Sequence, residues 1–429
     1  MSKPKLFLLG CSLAVVLMLG IFATSADAQE NIIHSFTDGL DGADPISGLL
    51  VDHSGNFYGT TTYGGTGDCT PGCGTAFEIN PPIIQGGPWT KRVIYNFSFQ
   101  GGVYPGKVIL DKAGNLYGTA GTLVFELVRP STPRGNWTEL VLDDLGWEAD
   151  NLAIDDAGNL YGTTVVGHAS NFGTVFQLSP PPIPGGTWTY TLLHNFGAFE
   201  DGRDPGPGLI VDKAGNVYGE TGSGGYDNRC NGNGCGTVFA LKRPTAPGST
   251  WTYHVLHHFE NFPDGAFPSG GLIFDNSGNL YGTTAAGGEN VNTSCGTVFK
   301  MTPPSWEETV LYTFTCGLDG LSPQGPLLLH KGILYGTTLQ GGEGRCGFTS
   351  LGCGTAFQLE PPQTPAGRWS ETVLYRFQGG DDGEWPLGNL AFGVGGALYG
   401  ATKFGGGKEE CPAIAGTTGC GTVFQIVLQ

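Results

Sequence analysis

The sequence predicts an all-β fold, a seven-bladed β-propeller of four-stranded antiparallel blades, with the ring closed by the N-terminal strand pairing with the last blade. Three observations predict it. A Tyr-Gly pair recurs seven times, at Tyr58, Tyr117, Tyr161, Tyr218, Tyr281, Tyr335 and Tyr399. Each recurrence sits among four short apolar segments separated by turn residues, in a unit of roughly 50–60 residues. The chain also starts and stops one segment out of phase with that unit.

The copy at 268–314 shows the four segments. Pro268 leads into Gly271–Asp275, an Asn276–Asn279 turn follows, and then comes Leu280–Thr284. A Gly-rich loop leads to Cys295–Met301, and Pro303-Pro304 turns the chain into Trp306–Phe314. The segments are rich in Val, Ile, Leu, Thr, Tyr and Phe and bounded by Gly, Pro, Asn or Asp, which is a strand and hairpin signature. Thr follows the Tyr-Gly pair in five copies; Glu220 and Ala401 are the exceptions. Phase follows from the ends. Ile32–Phe36 is a lone fourth segment and Cys420–Ile426 a third segment with nothing after it, so the first can complete the blade of the second. Closure of this kind removes exposed strand edges.

Composition agrees. Only 14% of residues are charged, with 75 Gly and 28 Pro, too much turn chemistry for a helical protein. With 39% hydrophobic and 11% aromatic residues the chain is too apolar for a disordered one. Residues 1–28 read as a signal peptide: Lys3 and Lys5, an apolar Leu6–Thr24 core, and Ala26-Asp27-Ala28 as the cleavage site. An uncleaved membrane anchor is the alternative reading; a lipoprotein site at Cys11 fails because the apolar core runs on past it. Residues 29–429 are then expected to be one propeller domain, secreted to the extracellular space or periplasm, monomeric and without a membrane span. Loss of two lysines and one aspartate takes the formal charge from −18 to −19. Such a surface repels phosphate backbones, so no nucleic-acid partner is expected.

Ten cysteines remain after the leader, and each has a near neighbour: Cys69 with Cys73, Cys230 with Cys235, Cys295 with Cys316, Cys346 with Cys353, and Cys411 with Cys420. An even count in an exported chain argues for structural disulfides. Zinc is the alternative, but it needs four ligands together and these pairs belong to different blades. A hairpin folded at Ser305-Trp306 brings Cys295 and Cys316 face to face, so the third and fourth segments should be antiparallel neighbours.

The recurring Gly278–Thr284, Gly287-Gly288 and Cys295–Phe299 pattern, with its parallel copies, resembles the tandem repeats of the choice-of-anchor GloVer-containing proteins of bacteria. The resemblance spans essentially all of residues 29–429. It implies an extracellular or cell-surface repeat protein, and it brings no activity and no catalytic residues. Members often carry a C-terminal anchoring tail; here the chain stops at Gln429, which favours free secretion or retention through partners. The strand order also looks like that of NHL-type propellers, an analogy of fold alone.

Catalytic motifs are absent: no H-E-x-x-H, G-x-S-x-G or P-loop occurs. The Asp-x-[Ala/Ser]-Gly-Asn turns at Asp52, Asp111, Asp212 and Asp275, with a variant at Asp155, could suggest calcium, yet Asx-turn chemistry explains them. No cofactor is therefore expected, with calcium the one open alternative. His34, His194 and His257 share a repeat position with Tyr95, Tyr312 and Tyr375 and should pack as part-buried aromatics. His168 is a lone loop histidine with no repeat counterpart. Start-of-strand Trp89, Trp137, Trp188, Trp251, Trp306 and Trp369 should pack between blades.

Function on a scaffold lives in its loops. Two loop classes should share one face: the Asp-Gly loops at Asp41, Asp201, Asp264, Asp319 and Asp382, and the Gly-rich loops after Tyr-Gly-Thr. Together they would present Tyr63, Tyr104, Trp147, His168, Tyr226, Phe267 and Trp385 beside those carboxylates. Aromatics amid acids suit a polysaccharide or a protein partner. The expectation is a secreted binding or scaffold propeller. The alternative is a metal-assisted lyase or hydrolase using the loop histidine and carboxylates. In the second copy the chain runs from Gly121 straight to Thr122, leaving a gap on that face.

Overall fold

In the computed structural model, the described part of the protein is residues 29–429 without residues 85, 168–171, 184, 198, 207, 226–229, 247, 290–294, 345, 347–350, 365–366, 394, 408, 415 and 429. It is all-β. Seven antiparallel sheets are arranged as blades, each built outward from an inner strand to an outer one. Among the described residues the helical segments are the three-residue 3-10 turns Gly39–Asp41 and Cys230–Gly232. None is long and apolar enough to cross a membrane.

Blades are numbered here by their Tyr-Gly pair, from Tyr58 in blade 1 to Tyr399 in blade 7. Blade 5 is typical: inner pieces Ala266–Pro268 and Ile273–Phe274, then Leu280–Ala286, Thr297–Thr302 and the outer strand Glu307–Thr313. The inner segment departs from the continuous strand expected. It splits in two in blades 4, 5 and 7 and shrinks to Leu50–Val51 and Ala153–Ile154 in blades 1 and 3. The cause is crowding at the axis. A Cβ on Gly208 of blade 4 would lie 2.2 Å from the Gly271 Cα of blade 5, so backbone meets backbone and leaves its own ladder.

The outer strand of blade 7 is Gln29–Ser35, antiparallel to Thr422–Val427. The first and last segments of the chain therefore share one sheet. All five expected cysteine pairs are disulfides, and Cys295–Cys316 ties the third strand of blade 5 to the loop beyond its outer strand.

Tyr-Gly is a packing rule. In blade 1 the third-strand Phe77 ring lies against Gly59, where a Cβ would sit 2.6 Å from Phe77 Cζ; Gly282 and Phe299 repeat this in blade 5 at 2.5 Å. The tyrosine packs sideways against the tryptophan of the next blade: Tyr58 on Trp137, Tyr117 on Trp188, Tyr161 on Trp251 and Tyr218 on Trp306. Its hydroxyl reaches the Asp turn. Asp52 accepts the Ser54 and Asn56 amides through Oδ1, and the Asn56 side chain and Tyr58 hydroxyl through Oδ2. The same network forms at Asp155, Asp212 and Asp275.

A second glycine makes the joint between blades. The Cys-Gly-Thr glycine of one blade abuts the proline that opens the next. A Cβ on Gly74, Gly173 or Gly421 would lie 2.4 Å from Cδ of Pro105, Pro205 or Pro45, and one on Gly236, Gly296 or Gly354 would lie 2.6 Å from Cδ of Pro268, Pro323 or Pro386. Between blades 2 and 3 this clasp is missing, because Thr122 stands at the glycine position and the opening of blade 3, residues 145–152, holds no proline. Another joint holds the repeat's odd acid. Thr60 and Thr163 donate to Gly106 and Gly206 carbonyls of the following blade, but Glu220 instead accepts the Gly271 amide at 2.9 Å. Glu220 is 2% exposed, its other oxygen has no partner, and burial raises its pKa to about 8.

Candidate functional site

Both loop classes lie on one face of the disc and hydrogen-bond to each other. Ala43 of an Asp-Gly loop pairs with Tyr63 of a Gly-rich loop, and Leu321 pairs with Gln340 in blade 6. The Asp-Gly carboxylates do not gather at the channel mouth. Each turns back onto the histidine or tyrosine seven residues earlier, on the outer strand that precedes it. Asp264 takes His257 Nε2 at 2.9 Å and the Glu260 amide at 3.1 Å. Asp319 accepts the Tyr312 hydroxyl and Thr315 amide, and Asp382 accepts the Tyr375 hydroxyl. Asp41 holds His34 at 3.0 Å, and His194 lies 3.8 Å from Asp201. These are loop latches, and the histidines pack edge-on to Phe36, Phe196 and Phe259.

At each joint the next blade's outer strand adds a residue to the latch. Between blades 7 and 1 this is Lys91, 2.6 Å from Asp41 and 7% exposed. Burial alone would raise the Asp41 pKa, but the His34 hydrogen bond and the Lys91 ammonium outweigh it and hold it at about 2. Between blades 3 and 4 it is Tyr253, which stacks on His194 at 3.8 Å and donates its hydroxyl to the Asp201 carbonyl, and in blades 5 and 6 it is acidic. Burial, then the facing Asp264 or Asp319, pushes Glu308 up to about 8 and Glu371 up to about 7.

What does surround the channel mouth on this face is a set of residues just before the clasp prolines. Asp44, Tyr104, Asp204, Phe267, Ser322 and Trp385 all have left-handed backbones, with φ between 53° and 62°. Each donates its amide to the carbonyl preceding the clasp glycine of the neighbouring blade: Tyr104 to Cys73, Phe267 to Cys235, Trp385 to Cys353. A left-handed L-residue costs roughly 1–2 kcal/mol, and a following proline restricts it further. Six such residues at one repeat position form a fixed frame carrying five kinds of side chain.

Three of these residues join a continuous arc across blades 2, 1 and 7. Tyr104 and Tyr63 meet edge to face at 5.5 Å. Tyr63 flanks Asp44, whose carboxylate lies 4.0 Å from Lys403 Nζ. Lys403 sits 5.1 Å from the Phe404 ring, and Phe404 packs on Trp385 at 5.3 Å. Asp44 is 4% exposed with one oxygen unpartnered, and burial raises its pKa to about 6 against the opposing pull of Lys403. The Trp385 indole nitrogen is likewise buried without a partner. Aromatic walls around a charged pair with unused hydrogen-bonding capacity can stack on and orient a ring-shaped polar ligand.

Of the residues expected on this face, the structure brings Tyr63, Tyr104 and Trp385 together. Phe267 occupies the same frame in blade 5. Trp147, 41% exposed, lies over Gly167 beside the short turn of blade 2. His168 and Tyr226 lie outside the described residues. Asp44, Lys403 and Phe404 were missed, although the X-Pro dipeptide that opens six blades could have flagged Asp44. Among the described residues one group could offer three metal-type ligands, Asp68 with Cys69 and Cys73, and those sulfurs are joined to each other.

This architecture defines a seven-bladed, four-stranded β-propeller. Residues 142–350 match the model of the Gloeobacter/Verrucomicrobia repeat, the family whose repeats the sequence resembles. No curated protein matches the chain. Solved structures do resemble it. A streptogramin B lyase is 13% identical with a TM-score of 0.54, over 94% of this chain and 98% of that one. An inactive virginiamycin B lyase from Staphylococcus aureus with quinupristin has the same identity and TM-score, over 94% and 99%. At this identity the likeness shows a shared fold alone.

Proposed function

We propose that this protein is a binding or scaffold propeller that holds an extracellular polysaccharide or surface partner against the face framed by Asp44, Tyr104, Asp204, Phe267, Ser322 and Trp385. One observation carries the reading. Six blades hold the same costly left-handed backbone where glycine would relieve it, and each fills it with a functional side chain. A merely structural position would favour glycine, as the clasp position does. Five disulfides suit an oxidising compartment, so we place the protein outside the cytoplasm.

The test is retention of purified protein on a glycan panel and on cell-envelope fractions, beside Trp385→Ala and Tyr104→Ala. Retention that falls about tenfold or more in the variants supports the proposal, since buried aromatic anchors dominate such contacts. Wild-type protein that is retained on nothing, or variants retained equally well, refutes it. A hydrolytic or lyase reading draws on Asp44, whose pKa of about 6 suits acid–base work. Turnover of a small substrate that disappears in Asp44→Asn would favour that reading instead.

A further inference from the structure

The opposite face of the disc carries a groove between blades 1 and 2 with inverted charge. A cavity of about 390 Å³ is lined by Arg92, Arg129 and Arg134, with Asn80, Ser131 and Trp137 among its other walls. The whole chain has 20 Lys and Arg against 38 Asp and Glu, yet here three guanidiniums meet two carboxylates, Glu78 in the wall and Asp52 beside Arg129.

Arg92 and Arg134 replace neutral residues of other copies, and Arg129 does so in all but one of those compared. Arg92 stands where they carry Leu140, Thr191 or Thr309, and Arg129 where they carry Pro81, Pro180 or Pro303, blade 4 alone sharing an arginine there, Arg243. Arg134 stands in the turn where they carry Gly86, Gly185 and Gly248. Those glycines have φ of 78°, 80° and 83°, and Arg134 keeps the left-handed backbone with φ of 62°. The strain of a non-glycine residue is thus accepted in this copy, where it puts a third cation into the groove.

Arg92 is anchored, 2.9 Å from Glu78 and 3.3 Å from the Gly135 carbonyl, which fixes the turn against blade 1. Arg129 lies 3.5 Å from Asp52, a long contact that leaves most of its donors unused. Arg134 is exposed and has no hydrogen-bond or ion-pair partner among the described residues. Trp137 forms part of the wall, is 6% exposed, and its indole N–H has no acceptor.

We propose that this groove binds an acidic saccharide, a sugar unit bearing a carboxylate or phosphate group. The guanidiniums of Arg129 and Arg134 fork onto the oxyanion, since planar bidentate pairing is the strongest use of arginine. The Asn80 amide and Ser131 hydroxyl meet the ring hydroxyls, and the Trp137 N–H gains its missing acceptor. The groove is separate from the aromatic face, and neither site depends on the other.

Calorimetric titration of the full chain with oligogalacturonate, a hexose phosphate, inorganic phosphate and a neutral oligosaccharide of equal length tests this. The acidic sugars should bind, weaken with added salt, and exceed the neutral sugar and inorganic phosphate by about tenfold or more. Arg134→Gly restores the residue of three other copies, so it should keep or raise the melting temperature while losing binding about tenfold. Trp385→Ala, on the other face, should bind these probes like wild type. The proposal falls if no acidic sugar binds at millimolar concentration, if the neutral sugar or phosphate alone binds as well, or if Arg134→Gly binds unchanged.

Discussion

Glu220 makes one joint of this protein dependent on pH. Glu220→Gln keeps the size of the side chain and an acceptor for the Gly271 amide but removes the ionisable proton. The folded carboxyl has its pKa raised by burial to about 8, against 4.5 for an ordinary glutamate. Below pH 4.5 both folded and unfolded chains carry the proton, and the native contact is fully available. As pH rises the unfolded chain gives up its proton first, so native stability is lost progressively until the folded pKa is passed. At about 1.36 kcal/mol per pH unit, the deficit grows from about 0.8 kcal/mol at pH 5 to about 3 at pH 7 and about 4 at pH 8. Glu220→Gln should therefore unfold at nearly the same guanidinium concentration as wild type at pH 5 and at a clearly higher one at pH 8. Tryptophan fluorescence at four pH values reads this. Glu220→Thr should flatten the slope too, offset by about 1 kcal/mol for the amide left without its acceptor. A gap between wild type and Glu220→Gln that stays constant from pH 5 to 8 would refute the reasoning.

Three further outcomes follow. Replacing Cys295 and Cys316 by serine opens a 21-residue loop, whereas Cys69 and Cys73 close one of 4 residues; chain entropy predicts losses of about 3 and about 2 kcal/mol, a ranking that denaturation midpoints will check. Lys91→Met strips Asp41 of its ammonium at the joint of blades 7 and 1 and should cost about 2–3 kcal/mol at pH 7, seen as a lower unfolding midpoint; a variant as stable as wild type would show that His34 suffices. Deleting residues 29–36 bares the edge of Thr422–Val427, so size-exclusion chromatography should show association, and an unchanged monomer peak would count against the edge argument.

The fold was legible because its rules are local and repeated. Seven Tyr-Gly pairs, four strand-like segments per unit and paired cysteines each survive translation into a linear pattern. The inner strand was not, because its breaks arise where Gly208 meets Gly271 across a joint, a contact between residues 63 positions apart. The candidate site was half legible. Composition flagged Tyr63, Tyr104 and Trp385 as aromatics in loops. It could not show that Asp264 and Asp319 turn back onto their own outer strands, since side-chain direction in a loop leaves no periodic trace. Nor could it pair Asp44 with Lys403, 359 residues away, or reveal that residues before proline would take a conformation that proline normally disfavours.

The missing clasp between blades 2 and 3 gives the disc a parting line. Six junctions are fastened by the same glycine-on-proline contact, and the seventh has Thr122 for the glycine and no proline opening blade 3. A ring opens first where its fastening differs, so amide hydrogen exchange is expected to be fastest at this one seam. Trp147 and the short Gly121-Thr122 turn lie beside that seam, so faster exchange there would adjoin the lowest rim of the loop-bearing face.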